Sequence, residues 1–256
     1  AIEFHGLAHH SERPIFGPKE VAKVKSLHKE KYDLCSKAGI RLIQIFEDEW
    51  TNKRPVIKSM LRSRLGKIQN KIFARKTEIR PLDSATRRKF FEANHIAGDT
   101  LAPYAVGLYH EGELVTALSL RKPWTKAYGE RTVEIARFAS KLDSNVIGGF
   151  SKLVPHMEEY CRANGFDSIL TYADLRFGTG SVYQDAGFEL VGTTDPNYFY
   201  EKGGIRESRF SHRKSNDPEV IAMFGNTERQ QNNNQGWFAI YDAGSNVFLR
   251  RLNQKP

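Results

Sequence analysis

The residues of this 256-residue chain with the richest chemistry stand at its beginning. Glu3, His5, His9, His10 and Glu12 fall within a dozen positions, and Glu47-Asp48-Glu49 closes a later apolar segment. Alternation along a strand puts Glu3 and His5 on one face. Hydrolysis of a phosphodiester needs carboxylate oxygens to hold Mg²⁺ and a base to activate water. Glu3 and Glu47 supply the first as metal ligands, and His5 or His10 the second. Three clustered histidines are also a ligand set for Zn²⁺, although neither thiols nor further histidines accompany them at the usual spacing.

A second polar set lies in residues 104–200. Asn145-Val146-Ile147-Gly148-Gly149-Phe150 reads as a turn into a helix, whose backbone N–H groups suit a pyrophosphate. The turn resembles the cofactor loop of the GNAT acyltransferases, which has a small residue where Phe150 stands, and the resemblance therefore implies that acyl-CoA is an unlikely ligand. Tyr172-Ala173-Asp174-Leu175-Arg176, a buried strand ending in an exposed Asp and Arg, reads as a polar site at a cleft mouth, or Asp174 and Arg176 simply pair there.

The third feature is charge. The formal net charge is +9, and residues 53–89 hold 13 Lys/Arg against two acids, so the remainder is slightly acidic. Such a stretch attracts phosphate backbones and releases their counterions. Lys53, Arg54, Lys58, Arg62, Arg64, Lys67, Lys71, Arg75 and Lys76 are the expected contacts to double-stranded DNA. Arg206, Arg209, Arg213 and Lys214, interleaved with Tyr198-Phe199-Tyr200 and Phe210, add forks for phosphates and stacking surfaces for bases.

The elements that must position these groups follow from pattern. Helical spacing of Val21, Val24, Leu27, Leu34 or Cys35 and Ala38 predicts a helix over 17–39 that stops at Gly39. Ile40–Phe46 reads as a strand, and Ile57, Met60, Leu61 and Leu65 as the face of a helix ending at Gly66. Asp83 caps a helix to about Asn94. Residues 104–121 form a hairpin about Glu111-Gly112. A strand over 133–138, a helix containing Pro155, a buried strand over 169–172 and a short helix over 181–186 complete a mixed α/β (α+β) reading. Residues 216–235 read as polar loop, followed by an aromatic element over 237–248.

Charged residues make up 27% and hydrophobic residues 39% of the chain, an ordinary globular balance. No apolar run approaches the roughly 18–20 residues of a membrane span, so a cytoplasmic location is expected, and composition is silent on oligomeric state. Cys35 and Cys161 are too isolated for a paired motif and read as two thiols in a reducing compartment.

Two resemblances sharpen these expectations. Residues 1–66, through Glu3-Phe4-His5-Gly6…His10 and Gly39-Ile40-Arg41-Leu42…Phe46-Glu47-Asp48-Glu49-Trp50, resemble the Vsr-like branch of the PD-(D/E)XK endonucleases, which includes very-short-patch repair nucleases and phage homing endonucleases. The resemblance makes His5 and His10 site histidines, and His28 sits where many phage relatives have one. It also places the metal-binding Asp on a strand upstream of residue 1. Because the chain opens inside a strand, a partial nuclease of weakened activity is expected. Residues 83–214, from the Gly-Gly turn through Gly180-Ser181-Val182-Tyr183-Gln184-Asp185-Ala186-Gly187-Phe188, resemble the GNAT acyltransferase fold. Within it, Tyr172 to Tyr183 with Arg137 is similar to Mom-type DNA-modification proteins, which implies Arg137, Tyr172, Asp174 and Tyr183 as catalytic. The expected layout is a nuclease part (1–66), a basic connector (67–82), a GNAT-like domain (83–214) and a C-terminal element (215–256). Its expected main function is a Mg²⁺-dependent homing-type DNA endonuclease of a phage or mobile element in a bacterial host. The alternatives are a DNA base-modifying transferase and a non-catalytic DNA-binding protein.

Overall fold

The computed structural model describes residues 1–14 and 18–252. Gly17, the expected start of the first helix, lies outside the described residues. Contacts group the chain into two units that interleave in sequence: residues 1–52, 173–179 and 193–246, and residues 53–172, 180–192 and 247–256. The boundaries expected at 66, 82 and 214 do not coincide with these units. Pairing between segments far apart in the chain decides them, and composition carries no trace of it.

In the first unit, β1 (Ile2–His5) pairs in parallel with β2 (Ile43–Phe46), with Glu3 opposite Gln44 and His5 opposite Phe46. All four residues of β2 are buried, so the strand reads as a continuous run rather than an alternation. The acidic triplet does not end that strand. It opens α2 (Glu47–Asn52), where unsatisfied N–H groups and the helix dipole favour carboxylates. Glu49 accepts the Phe46 N–H at 3.0 Å, and Glu47 accepts the N–H of Leu7 at 3.0 Å.

α1 (Pro18–Lys37) lays Val24 and His28, four residues apart, on one buried face. Val24 packs against Ala239 and Tyr241 of β13 (Phe238–Tyr241). That strand joins β11 (Tyr198–Lys202) and β12 (Ile205–Ser208) in an antiparallel sheet. The stretch expected to be polar loop contains α7 (Pro218–Phe224) and α8 (Glu228–Asn234). Asp217 caps the first and a Thr227–Gln230 capping box starts the second.

The second unit holds a mixed sheet in the order β10-β14-β9-β7-β6-β5-β4. Its strands are β4 (Glu78–Pro81), β5 (Tyr104–His110), β6 (Glu113–Arg121), β7 (Thr132–Ser140), β9 (Ser168–Asp174), β10 (Glu189–Thr193) and β14 (Ser245–Arg251). The β5–β6 hairpin turns through Glu111 and Gly112 at φ 52° and 80°, the left-handed pair that matches strand twist. The stretch expected as a basic connector holds two strands, β3 (Asn70–Phe73) and β4, and β3 pairs in parallel with β8 (Ser144–Ile147). α3 (Arg54–Arg64) and α4 (Ser84–Asn94) form as expected, the latter capped by Asp83 accepting the Thr86 N–H at 2.8 Å. α5 (Gly149–Ala163) buries Phe150, Leu153, Val154, Met157 and Cys161 along one stripe, and α6 (Ser181–Asp185) follows β9. Among the described residues, no helix is long and apolar enough to cross a membrane.

Candidate functional site

The most site-like feature of the second unit is a parting of parallel strands. β7 and β9 pair only at Thr132↔Ser168, Val133↔Ile169 and Glu134↔Leu170, although β7 runs on to Ser140 and β9 to Asp174. A bulge marks the parting. On β6, Ser119 faces Arg137 and Leu120 faces Ile135, which leaves Ala136 as an extra residue. Glu134 and Arg137, three apart, would otherwise point to opposite faces. The bulge returns Arg137 to the face of Glu134, with Ser119 and Arg121 across the ladder and Tyr172, two residues past Leu170, alongside. Phe138 consequently turns to the other face, where it meets Phe150 edge-on at 5.0 Å.

The polar face is enclosed. Glu134 is 7% exposed and accepts from Arg121 at 2.7 Å. Burial pushes its carboxyl above the usual range against the pull of Arg121. Burial, helped by the Glu134 charge, pushes the Tyr172 hydroxyl up to about 12. Ser119 is fully buried, and its Oγ finds no hydrogen-bond partner. Arg137 donates to the carbonyls of Gly98 at 2.8 Å and Ala136 at 2.7 Å. Glu134, Arg121 and Ser119 escaped sequence reasoning, because only the bulge sets which residues share a face.

On the opposite face, Gly148 caps α5 at φ 77°, a left-handed conformation that strains any residue with a Cβ, and no side chain caps the helix. Phe150 does not fill this turn. It is 3% exposed and lies in the core against Phe138, Phe188 and Tyr183. The obstacle expected from Phe150 is therefore absent. Tyr183 packs edge-on to Phe150 at 5.2 Å, and its hydroxyl bonds Thr171, the first residue of β9 past the pairing. Burial raises its pKa, so it keeps its proton at neutral pH.

The first unit gathers a different set. His5, His10 and His28 each offer a ring nitrogen within 4.8 Å of the others. His5 and His28 are buried, at 0% and 1% exposure. The carboxylates expected to hold metal are engaged elsewhere: Glu3 pairs with Lys31, and Glu47 binds the Leu7 N–H. Asp174 does not pair with Arg137. It accepts the N–H of Arg176 at 2.9 Å and its guanidinium at 2.7 Å.

The same guanidinium reaches Glu49 at 2.8 Å, and Arg206 bridges Glu49 at 2.9 Å and Asp48 at 3.1 Å. Arg206, expected on DNA, is thus held in a buried ion network and stacked on Phe46 and Phe199. Arg209 and Arg213 lie over Phe210, and Lys214 donates to Asn226 at 3.2 Å. In the basic segment, Lys53 bonds Glu92 and Arg62 pairs with Asp143. Arg54, Lys58, Arg64, Lys67, Lys71, Arg75 and Lys76 are exposed.

No family model matches the chain, and no curated protein is similar to it. Solved structures similar to it include the ribosomal-protein-S18-alanine N-acetyltransferase of Escherichia coli (9% identity, 70% of this chain and 96% of that one, TM-score 0.43). Others are a Bacillus subtilis acetyltransferase in complex with CoA (16%, 70% and 100%, TM-score 0.42) and a GNAT family acetyltransferase from Elizabethkingia anophelis with acetyl-CoA bound (11%, 69% and 99%, TM-score 0.39). These are acetyltransferases, two of them with the cofactor or its CoA part. The expectations of a homing-type endonuclease, of Mg²⁺ and of acyl-CoA as an unlikely ligand are corrected on the chain's own residues. The physical reasons lie in the geometry: Glu3 and Glu47 are tied to a lysine and a backbone N–H, and Phe150 is packed into the core.

Proposed function

We propose that the chain is an acyl-group transferase of GNAT type that takes an acyl-CoA in the gap between β7 and β9. The parting of these strands carries the reading, because they stop pairing beyond Glu134 and Leu170 although both run on. The uncapped turn at Gly148 lies in the same unit. The N–H groups of its first helical turn would hold the pyrophosphate. When bound, the acyl-CoA supplies an activated thioester carbonyl. Glu134, its carboxyl raised by burial, accepts a proton from the incoming nucleophile, and Arg121 fixes its orientation. Tyr183 keeps a proton on its hydroxyl and can give it to a departing group. Arg137 and Tyr172 line the acceptor side. The exposed basic residues of the 53–89 segment favour an acceptor carried by a nucleic acid, a DNA base amine being the simplest form.

Calorimetry with acetyl-CoA, followed by thiol release in the presence of duplex or single-stranded DNA, tests this reading. Binding should be lost or weakened at least about tenfold by Gly148→Val, which strains the turn. Glu134→Gln should lower kcat by about 10²-fold or more while leaving acetyl-CoA affinity near that of the native chain. Absence of acetyl-CoA binding at millimolar concentration would overturn the proposal. Transfer to small amines but not to DNA would keep the chemistry and remove the nucleic-acid acceptor.

A further inference from the structure

We infer that His5, His10 and His28 form a binding site for one divalent transition-metal ion of the zinc class. The inference stands apart from acyl transfer, since all three residues belong to the first unit.

The hydrogen-bond network fixes which nitrogens carry lone pairs. His28 Nδ1 lies 2.5 Å from the carbonyl oxygen of Tyr241, which can only accept, so Nδ1 is the protonated nitrogen and Nε2 the lone pair. Gln44 donates its amide N–H to the carbonyl of His28 at 3.2 Å, which turns its Oε1 toward His5 Nε2 at 3.0 Å. That oxygen accepts, so His5 carries its proton on Nε2 and its lone pair on Nδ1. His5 Nδ1 is buried, and no group donates to it. A buried acceptor without a donor costs about 1–3 kcal/mol, and a metal ion satisfies it. His10 Nδ1, 2.9 Å from His28 Nε2, holds the one proton that bridges the cluster. Transfer of that proton to its own Nε2 frees a third lone pair without any change of charge.

Gln44 and Tyr241 stand as outer partners, each binding the N–H of a ligating imidazole and fixing its tautomer, as zinc-binding histidines require. The rings are close, with His5 centred 4.4 Å from His10 and 4.2 Å from His28. Two nitrogens on a tetrahedral zinc stand about 3.3 Å apart, and the ligand atoms of the three rings already lie within 4.8 Å of one another. Three neutral imidazoles with no free carboxylate select zinc, cobalt, nickel or copper over Mg²⁺ or Ca²⁺. Glu3, whose Oε2 lies 3.8 Å from His5, is occupied by Lys31. Three protein ligands leave the fourth position to water on the side of His10.

The test uses tag-free, chelator-treated protein titrated with Zn²⁺ by calorimetry and with Co²⁺ by visible absorption. One equivalent should bind, with the intense d–d bands of four-coordinate cobalt. His10→Ala, a half-exposed position that leaves the core intact, should weaken zinc by at least about 100-fold and abolish the bands. Gln44→Leu should weaken it about 10–100-fold with the bands retained. Absence of binding at millimolar zinc would overturn the assignment. So would one-equivalent binding that survives His10→Ala unchanged, since the ion would then sit on other histidines.

Discussion

Two buried polar groups of the first unit meet their valences in opposite ways. Around Arg176, the ionised groups close on one another: Asp174 and Glu49 face its guanidinium, and Arg206 joins Glu49 to Asp48. Phe46 and Phe199 cover the flat faces of the cations. Around His28, no ionised group completes the set. The imidazoles are neutral, and His5 keeps a lone pair with no donor. A network of opposite charges holds a fold in register, and here it leaves only Asp48 Oδ1 and Arg206 Nη1, a carboxylate oxygen and a guanidinium nitrogen of one ion pair, without a hydrogen bond. A buried lone pair without a donor, beside two further imidazoles, is unfinished until something binds. Charge density, which first drew attention to the acidic triplet, therefore points to the structural cluster, and the quieter histidines to the reactive one.

The contrast breaks first at Arg176. Arg176→Met leaves Asp174 and part of Glu49 uncompensated, and should cost about 3–5 kcal/mol in urea unfolding. A loss under about 1 kcal/mol would show that the network is not what holds these segments together. The imidazole cluster should respond to protons instead. In metal-free protein, His10 and His28 titrate near 4 and 3 when folded and near 6.5 when unfolded. Between those values the unfolded chain binds more protons, so stability is full above pH 6.5 and is lost as pH falls toward 4. Discounted for the partial exposure of His10, unfolding near pH 5 should take up about one to two protons. Thermal melts between pH 7 and 5 measure this, and a flat profile would put charged imidazoles in the cluster.

Asp242 sharpens the same window from the other side. Burial, then the neighbouring Asp174, raises it to about 6, while its Oδ1 accepts the N–H groups of Asn197 and Gly244. Its folded form holds a proton that the unfolded chain has released, so its contribution is lost as pH rises from about 4 to 6. Asp242→Asn keeps both acceptor contacts and should stabilise the protein by about 1 kcal/mol at pH 7, while steepening the acid limb left by the histidines. An unchanged or lower melting temperature at pH 7 would mean that the carboxylate is solvated. The smallest effect concerns the exposed bases, which belong to neither cluster. Replacing Arg62, Arg64, Lys67 and Lys71 with Ala should flatten the salt dependence of DNA binding by about 2–3 in log K against log salt. Arg62 is already paired with Asp143. An unchanged slope would move the nucleic-acid surface away from this segment.

Much of the scaffold was legible because local chemistry dictates it. Asp83 had to cap a helix, Glu111-Gly112 had to turn a hairpin, and residues 169–172 had to form a buried strand. The histidines and the Gly-Gly turn were also visible as chemistry awaiting a position. The helices after Asp217 and Thr227 were hidden, although both caps stand in the sequence, because the first is only seven residues long, too short to show a helical period, and the second is polar throughout.

Residue types and spacing determined that imidazoles, a helix-opening turn and a basic segment exist, since each depends on neighbours within a few positions. Tertiary structure decided what they do. His28 joins His5 only because α1 packs on β13, and Tyr241, more than two hundred positions away, fixes its tautomer. One extra residue at Ala136 swings Arg137 toward Glu134 and sends Phe138 into the core beside Phe150. Strand parity and burial are set by long-range pairing, and the local sequence does not encode them.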